Sequence, residues 1–167
     1  MKKYLVSPVA AGILLAVAGA AQADSKNASF TVSATVAKVC AITAETLAMG
    51  TWSGTGDLEG ASTINVKCST GTGYSVDLSA GASSPSLTDR KLVNGTDLLA
   101  YNLYRNTTRT EIWGDGSPGT FVVGGNGTGM ANSGNQPLPV YAKILEADLL
   151  AAKPGTYSNT ITATVTY

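Results

Sequence analysis

The chain has 167 residues, 11 basic and 11 acidic side chains, two cysteines, 19 glycines and no histidine. That length suits one domain able to bury about two thirds of its unfolded surface. The missing histidine excludes His-based triads, His-ligated metals and the usual neutral-pH proton shuttle. Balanced charge argues against nucleic acid, whose phosphates need a basic stripe.

In chain order, Lys2 and Lys3 form a basic n-region, Val9 to Ala21 is an apolar run, and Ala21-Gln22-Ala23 is a small-residue cleavage site. Residues 1–23 therefore read as a secretory signal peptide, with no membrane insertion after cleavage. Losing the two lysines leaves 9 basic against 11 acidic residues, a mature charge of −2. Ala28 to Val36 follows with clean alternation: Ala28, Phe30, Val32, Ala34 and Val36 on one face, serine and threonine on the other. Cys40 and Cys68 come next. An even pair in an exported chain most simply forms one disulfide, since two thiols without histidine or C-x-x-C spacing make a poor metal or redox site.

Period-two stretches recur beyond this point: Ile64 to Cys68 and Tyr74 to Leu78 joined by a Gly71-Thr72-Gly73 turn, then the apolar Leu98 to Tyr104, Phe121 to Val123, and Leu138 to Ile144. Gly114 to Gln136 reads as loop. Its second glycine cluster, Gly124 to Gly129, lacks the spacing and following helix of a dinucleotide site, and Asp115 lacks a second carboxylate for calcium. Glu146 to Ala152 suits a helical turn or two. Pro154-Gly155 supplies a turn before the clearest strand, Tyr157 to Tyr167, with threonine at every even position from 160. Alternating strands with glycine-rich turns predict an antiparallel all-β, immunoglobulin-like sandwich. Tyr101, Tyr104, Trp113 and Tyr141 sit inside strand patterns and read as core packing. Acidic residues are scattered singly, without paired acid/base candidates, so the sequence predicts no enzyme, no cofactor and no metal.

Several of these stretches together resemble the spore coat U domain family, whose best-understood members are pilins of the archaic chaperone–usher pathway, including Csu-type major subunits. The resemblance lies in Cys40 with Cys68, Leu99 to Tyr104, Trp113-Gly114-Asp115-Gly116, and Gly155-Thr156-Tyr157 running into Ile161 to Tyr167. Arg90-Lys91-Leu92 also matches. Leu47-Ala48-Met49-Gly50 departs from it, Met49 standing where relatives usually carry phenylalanine. The resemblance implies an incomplete immunoglobulin-like sandwich, completed by a strand donated from a neighbouring subunit.

On that basis residues 24–37 are expected to be the N-terminal donor strand and 38–167 the pilin-type domain. Ala28, Phe30, Val32, Ala34 and Val36 become the donor plugs, and Tyr157, Ile161, Ala163, Val165 and Tyr167 the edge of the acceptor groove. The implied partners are a periplasmic pilus chaperone, an outer-membrane usher and identical or related pilin subunits. The implied location is a cell-surface pilus reached through the periplasm, serving adhesion and biofilm formation. Read alone, Ala28 to Val36 also fits an ordinary first strand completing its own sandwich. That would make a secreted monomeric coat-associated or lectin-like binding domain.

Overall fold

A computed structural model describes residues 22–167, so most of the expected signal peptide lies outside the described residues. The chain divides into two units, one ending at Thr35 and the other running from Val36 to Tyr167. In the first unit, residues 22–35 carry no secondary structure and are exposed, Phe30 at 88%. The alternating stretch predicted as a strand is thus unpaired. Its pattern has an apolar face, but a strand also needs a hydrogen-bonded neighbour.

The second unit holds eight strands and one short helix: β1 (Cys40–Ala44), β2 (Leu58–Cys68), β3 (Gly73–Leu78), β4 (Arg90–Asn94), β5 (Asp97–Tyr104), β6 (Val123–Asn126), β7 (Gln136–Ile144), α1 (Glu146–Ala151) and β8 (Ala163–Thr166). All pairings between these strands are antiparallel, giving a five-stranded sheet ordered β1-β2-β7-β5-β4 and a three-stranded sheet ordered β6-β3-β8. The expected all-β sandwich is observed. Alternation aims Ile64, Val66 and Cys68 of β2, Leu99, Tyr101 and Leu103 of β5, and Val140, Ala142 and Ile144 of β7 toward Tyr74, Val76 and Leu78 of β3, forming one buried core.

Local chemistry explains how the strands end and turn. The β4–β5 hairpin closes on Gly95-Thr96 between paired Asn94 and Asp97, and Gly95 takes a φ of +61°. That glycine-first turn matches the right-handed twist of the flanking strands. Pro137 and Pro139 sit inside β7, which a proline ordinarily interrupts. They are tolerated because β5 pairs with β7 only at Tyr141 to Lys143, leaving the proline stretch bonded on its β2 side alone.

Three sequence expectations shift. The loop expected over Gly114 to Gln136 contains β6 and a 3-10 turn at Asn132–Gly134, and the strand expected at Phe121 to Val123 starts instead at Val123. Glycines 124 and 125 fit there because a side chain on either would press on Tyr74 of the neighbouring β3. The strand expected over Tyr157 to Tyr167 is regular only at Ala163–Thr166, although Ser158 bridges to Val93. The alternation itself holds, with Tyr157, Asn159, Ile161, Ala163 and Val165 half-buried and the intervening residues exposed.

Arg90 is the polar anchor of this core and is fully buried. Its Nε and Nη2 donate to Ser79 O (3.1 and 3.0 Å), Nη2 also to Trp113 O (2.8 Å), and Nη1 to Asn102 Oδ1 (2.8 Å). Burial pushes its pKa down, while nearby Tyr101 and Tyr104 act in the opposite direction. No carboxylate is among these partners. The guanidinium is held by carbonyls and an amide, and it ties the end of β3 to β5 and to the Trp113 loop. Trp113 is equally buried and donates its indole N–H to Val76 O at 2.9 Å. Cys40 and Cys68 face each other across β1 and β2 and form the expected disulfide.

Arg90→Met should lower stability by about 3 kcal/mol or more, because several buried acceptors lose a charged donor at once. Chemical denaturation of the folded domain reads this directly. A Cys40→Ser, Cys68→Ser double variant should lose about 3 to 4 kcal/mol in the same assay, the loop-closure contribution of a 28-residue loop.

Candidate functional site

The sandwich has an open side. β8 is hydrogen-bonded to β3 along one edge, and among the described residues no strand pairs with the other. β1 ends the larger sheet in the same way. Between the chain segments that adjoin these two edges runs a groove of ≈ 1090 Å³. One wall is the chain leaving β1, Ala44 to Trp52, and the other is Lys153 to Ala163. Its floor is the core itself, including Ile64, Leu78, Leu99, Tyr101, Val140 and Ile144. Apolar residues that a closed sandwich would bury completely, such as Leu47, Met49, Trp52, Tyr157 and Ile161, are only half-buried here.

Each wall is held from outside. Gly60 of β2 passes so close to the first wall that an added Cβ would lie 3.0 Å from Leu47 Cδ2 and 3.1 Å from Met49 Cγ. The missing side chain lets both Leu47 and Met49 lean over the groove. Past the wall, Trp52 donates its indole N–H to Gly56 O at 2.8 Å. Gly56 N–H donates to Glu146 Oε1 and Glu146 N–H to Asp57 Oδ1, both at 2.9 Å. This reciprocal pair latches the loop to α1. The Glu146 amide, with help from Lys143, holds the Asp57 carboxyl below its ordinary value of 3.8.

The second wall is pinned through Asn159, whose Nδ2 donates to the Tyr101 hydroxyl at 3.1 Å and to Ala80 O at 3.3 Å. Burial raises the pKa of Tyr101, partly offset by the Asn159 hydrogen bond and the charge of Arg90. Thr162 N–H donates to Ser79 Oγ and Ser79 N–H to Thr162 O, both at 2.9 Å.

Of the residues expected to form the groove edge, Tyr157, Ile161 and Ala163 line the groove together. Val165 lies outside the lining, half-buried against the core opposite Val76, and Tyr167 is exposed. Ala28, Phe30, Val32, Ala34 and Val36 are all exposed, Val36 at 91%. Of the opposite wall, Ala44 to Trp52, the sequence reading singled out only Leu47 to Gly50, by resemblance, because the stretch has no regular period. Its available signal was three large apolar residues, Leu47, Met49 and Trp52, in a stretch without strand or helix pattern.

The Spore Coat Protein U domain family matches residues 26–164. The chain belongs to that family. A search of curated proteins by sequence finds no match. Among solved structures, this Spore Coat Protein U domain is similar to one from Acinetobacter baumannii, described as the CsuC–CsuE chaperone–tip adhesion subunit pre-assembly complex of archaic chaperone–usher Csu pili. Identity is 25% and the TM-score 0.58, over 80% of this chain and 40% of that one. The chain thus spans less than half the length of the protein it matches. The incomplete immunoglobulin-like sandwich seen here agrees with that kinship.

The latch gives this Spore Coat Protein U domain a pH-dependent wall. Because the folded Asp57 value lies below 3.8, its stabilisation is complete above that ordinary value and is lost as pH falls through the folded one. The Trp52 indole signal followed by NMR should therefore shift with a midpoint below 3.8, and Asp57→Asn should abolish the transition.

Proposed function

We propose that the chain is a structural subunit of a cell-surface pilus, assembled through the chaperone–usher pathway by donor-strand exchange and serving adhesion and biofilm formation. The observation that carries this reading is the open groove beside the chain leading into β8, whose apolar floor lacks a covering strand among the described residues. Unprotected apolar edges invite aggregation, and a strand from another molecule satisfies both the backbone and the apolar surface. Ala28 to Val36 has the matching chemistry: nine residues, about 30 Å when extended, with apolar side chains at every second position and serine or threonine between. Burying its phenylalanine and smaller apolar groups contributes roughly 6 to 10 kcal/mol before entropy costs. A backbone ladder adds about 0.5 to 1.5 kcal/mol net per hydrogen bond.

In this reading residues 1–23 are the export signal, residues 24–37 the donor strand and residues 38–167 the acceptor domain. Ala28, Phe30, Val32, Ala34 and Val36 enter the groove of an identical or related subunit beside its Tyr157, Ile161 and Ala163. Val165 and Tyr167 continue the acceptor strand past the lined groove. A periplasmic chaperone fills the groove first, and an outer-membrane usher oversees its replacement. The family match and the similarity to a subunit from Csu pili both support this assignment. The chemistry is that of a building block, with no catalytic step.

Removing residues 24–37 should leave a domain that still binds the chaperone and no longer polymerises, as followed by co-purification and electron microscopy. Phe30→Arg in the full mature chain should do the same by placing a charge on an apolar floor. Fibres from the truncated chain would contradict the donor assignment. A stable monomer from the intact mature chain, expressed without chaperone, would favour the self-complete lectin-like reading.

A further inference from the structure

On the outer face of the larger sheet, alternation places Ala41 and Thr43 of β1 beside their register partners Lys67 and Asn65 of β2, pointing away from the buried Ile64, Val66 and Cys68. The 3-10 turn at Asn132–Gly134 overhangs this surface. Together Ala41, Thr43, Asn65, Lys67, Asn132 and Asn135 line an open cleft of ≈ 390 Å³, a volume at the lower end of small-ligand sites, in which polar groups converge over the aliphatic stems of the same side chains. The groove beside the chain leading into β8 opens onto the core, on the inner side of the same sheet. Filling it leaves this outer cleft uncovered.

The hydrogen bonds inside the cleft give it a definite polarity. Lys67 Nζ donates to Asn132 Oδ1 at 2.9 Å, and Asn135 Nδ2 donates to Asn65 Oδ1 at 2.8 Å. Both amide oxygens are therefore engaged, which turns the amide nitrogens into the remaining functional ends. Among the described residues, neither Asn65 Nδ2 nor Asn132 Nδ2 has a protein acceptor, and the Lys67 ammonium keeps two further donors. No aspartate or glutamate lines the cleft. In a chain whose mature charge is slightly negative, this is a local concentration of donors around one cation.

We propose that this cleft binds a carboxylate-bearing sugar of the uronic acid class. The carboxylate would accept charge-assisted hydrogen bonds from Lys67 and the amides of Asn65 and Asn132. The Thr43 hydroxyl and Asn135 Oδ1 are left to pair with sugar hydroxyls. The cleft lacks an aromatic wall, so recognition rests on the anion and its hydroxyls instead of stacking. This site stands independently of the pilus reading, because it uses neither the groove nor residues 24–37.

Isothermal titration calorimetry of the mature full chain with glucuronate, glucose and acetate tests the proposal. Glucuronate should bind saturably, with glucose and acetate each at least about tenfold weaker, since each lacks one half of the recognised chemistry. Lys67→Gln should weaken glucuronate by about tenfold or more, and Lys91→Gln, on β4 outside the cleft, should leave it unchanged. Equal affinity for glucose, or indifference to Lys67→Gln, would overturn the site. Acetate binding as well as glucuronate would overturn the sugar assignment, pointing to a protein carboxylate such as one on a neighbouring subunit.

Discussion

Everything in this molecule follows from one unsatisfied edge. β8 belongs to a three-stranded sheet and is bonded on one side only, and beside the chain leading into it the core between the two sheets lies open. An apolar interior needs continuous cover, and a β-edge needs donors and acceptors opposite it. Here both demands fall on the same line of residues, beginning at Tyr157. Leu47, Met49 and Trp52 on the facing wall complete a slot whose shape is set by side chains that remain half-buried.

A sandwich in this condition must be held together by something other than complete burial. The closed end of the domain supplies it. Arg90 bonds backbone carbonyls from the end of β3 and from the Trp113 loop, and Asn102 adds a side-chain link to β5. The disulfide ties the start of β1 to β2, and β1 leads from there into the first wall of the groove. Asn159 and Tyr101 pin the second wall, and the Asp57–Glu146 latch steadies the loop beyond the first. A groove braced on both sides loses less freedom when it is filled, which leaves more of the burial energy for affinity.

The fold was largely legible from alternation. Tyr74, Val76 and Leu78 or Val140, Ala142 and Ile144 can lie on one face only, and the structure puts them there. The residue pattern of Tyr157 to Tyr167 was equally readable, but its pairing was not. Periodicity reports which way side chains point and is silent on whether a backbone has a neighbour. That is why Ala28 to Val36 reads as a strand and is unpaired. The wall from Ala44 to Trp52 was illegible for a different reason, since its conformation is imposed by the space above Gly60 and not by any local repeat. Likewise Arg90 could be noticed in sequence, yet its burial among carbonyls depends on three segments that only the tertiary fold brings together.

The central claim is that the outer edge of β8 and the chain leading into it form an acceptor for an intermolecular strand with the sequence of residues 28–36. Amide hydrogen exchange along Tyr157 to Tyr167, measured on the mature chain carrying Phe30→Arg, whose own donor strand is disabled, with and without an excess of a peptide copying wild-type residues 24–37, tests it most directly. The account predicts that exchange in this segment slows by at least about tenfold when the peptide is present, while the disulfide-linked β1–β2 pair changes little. Unchanged exchange along Tyr157 to Tyr167 at saturating peptide would contradict it.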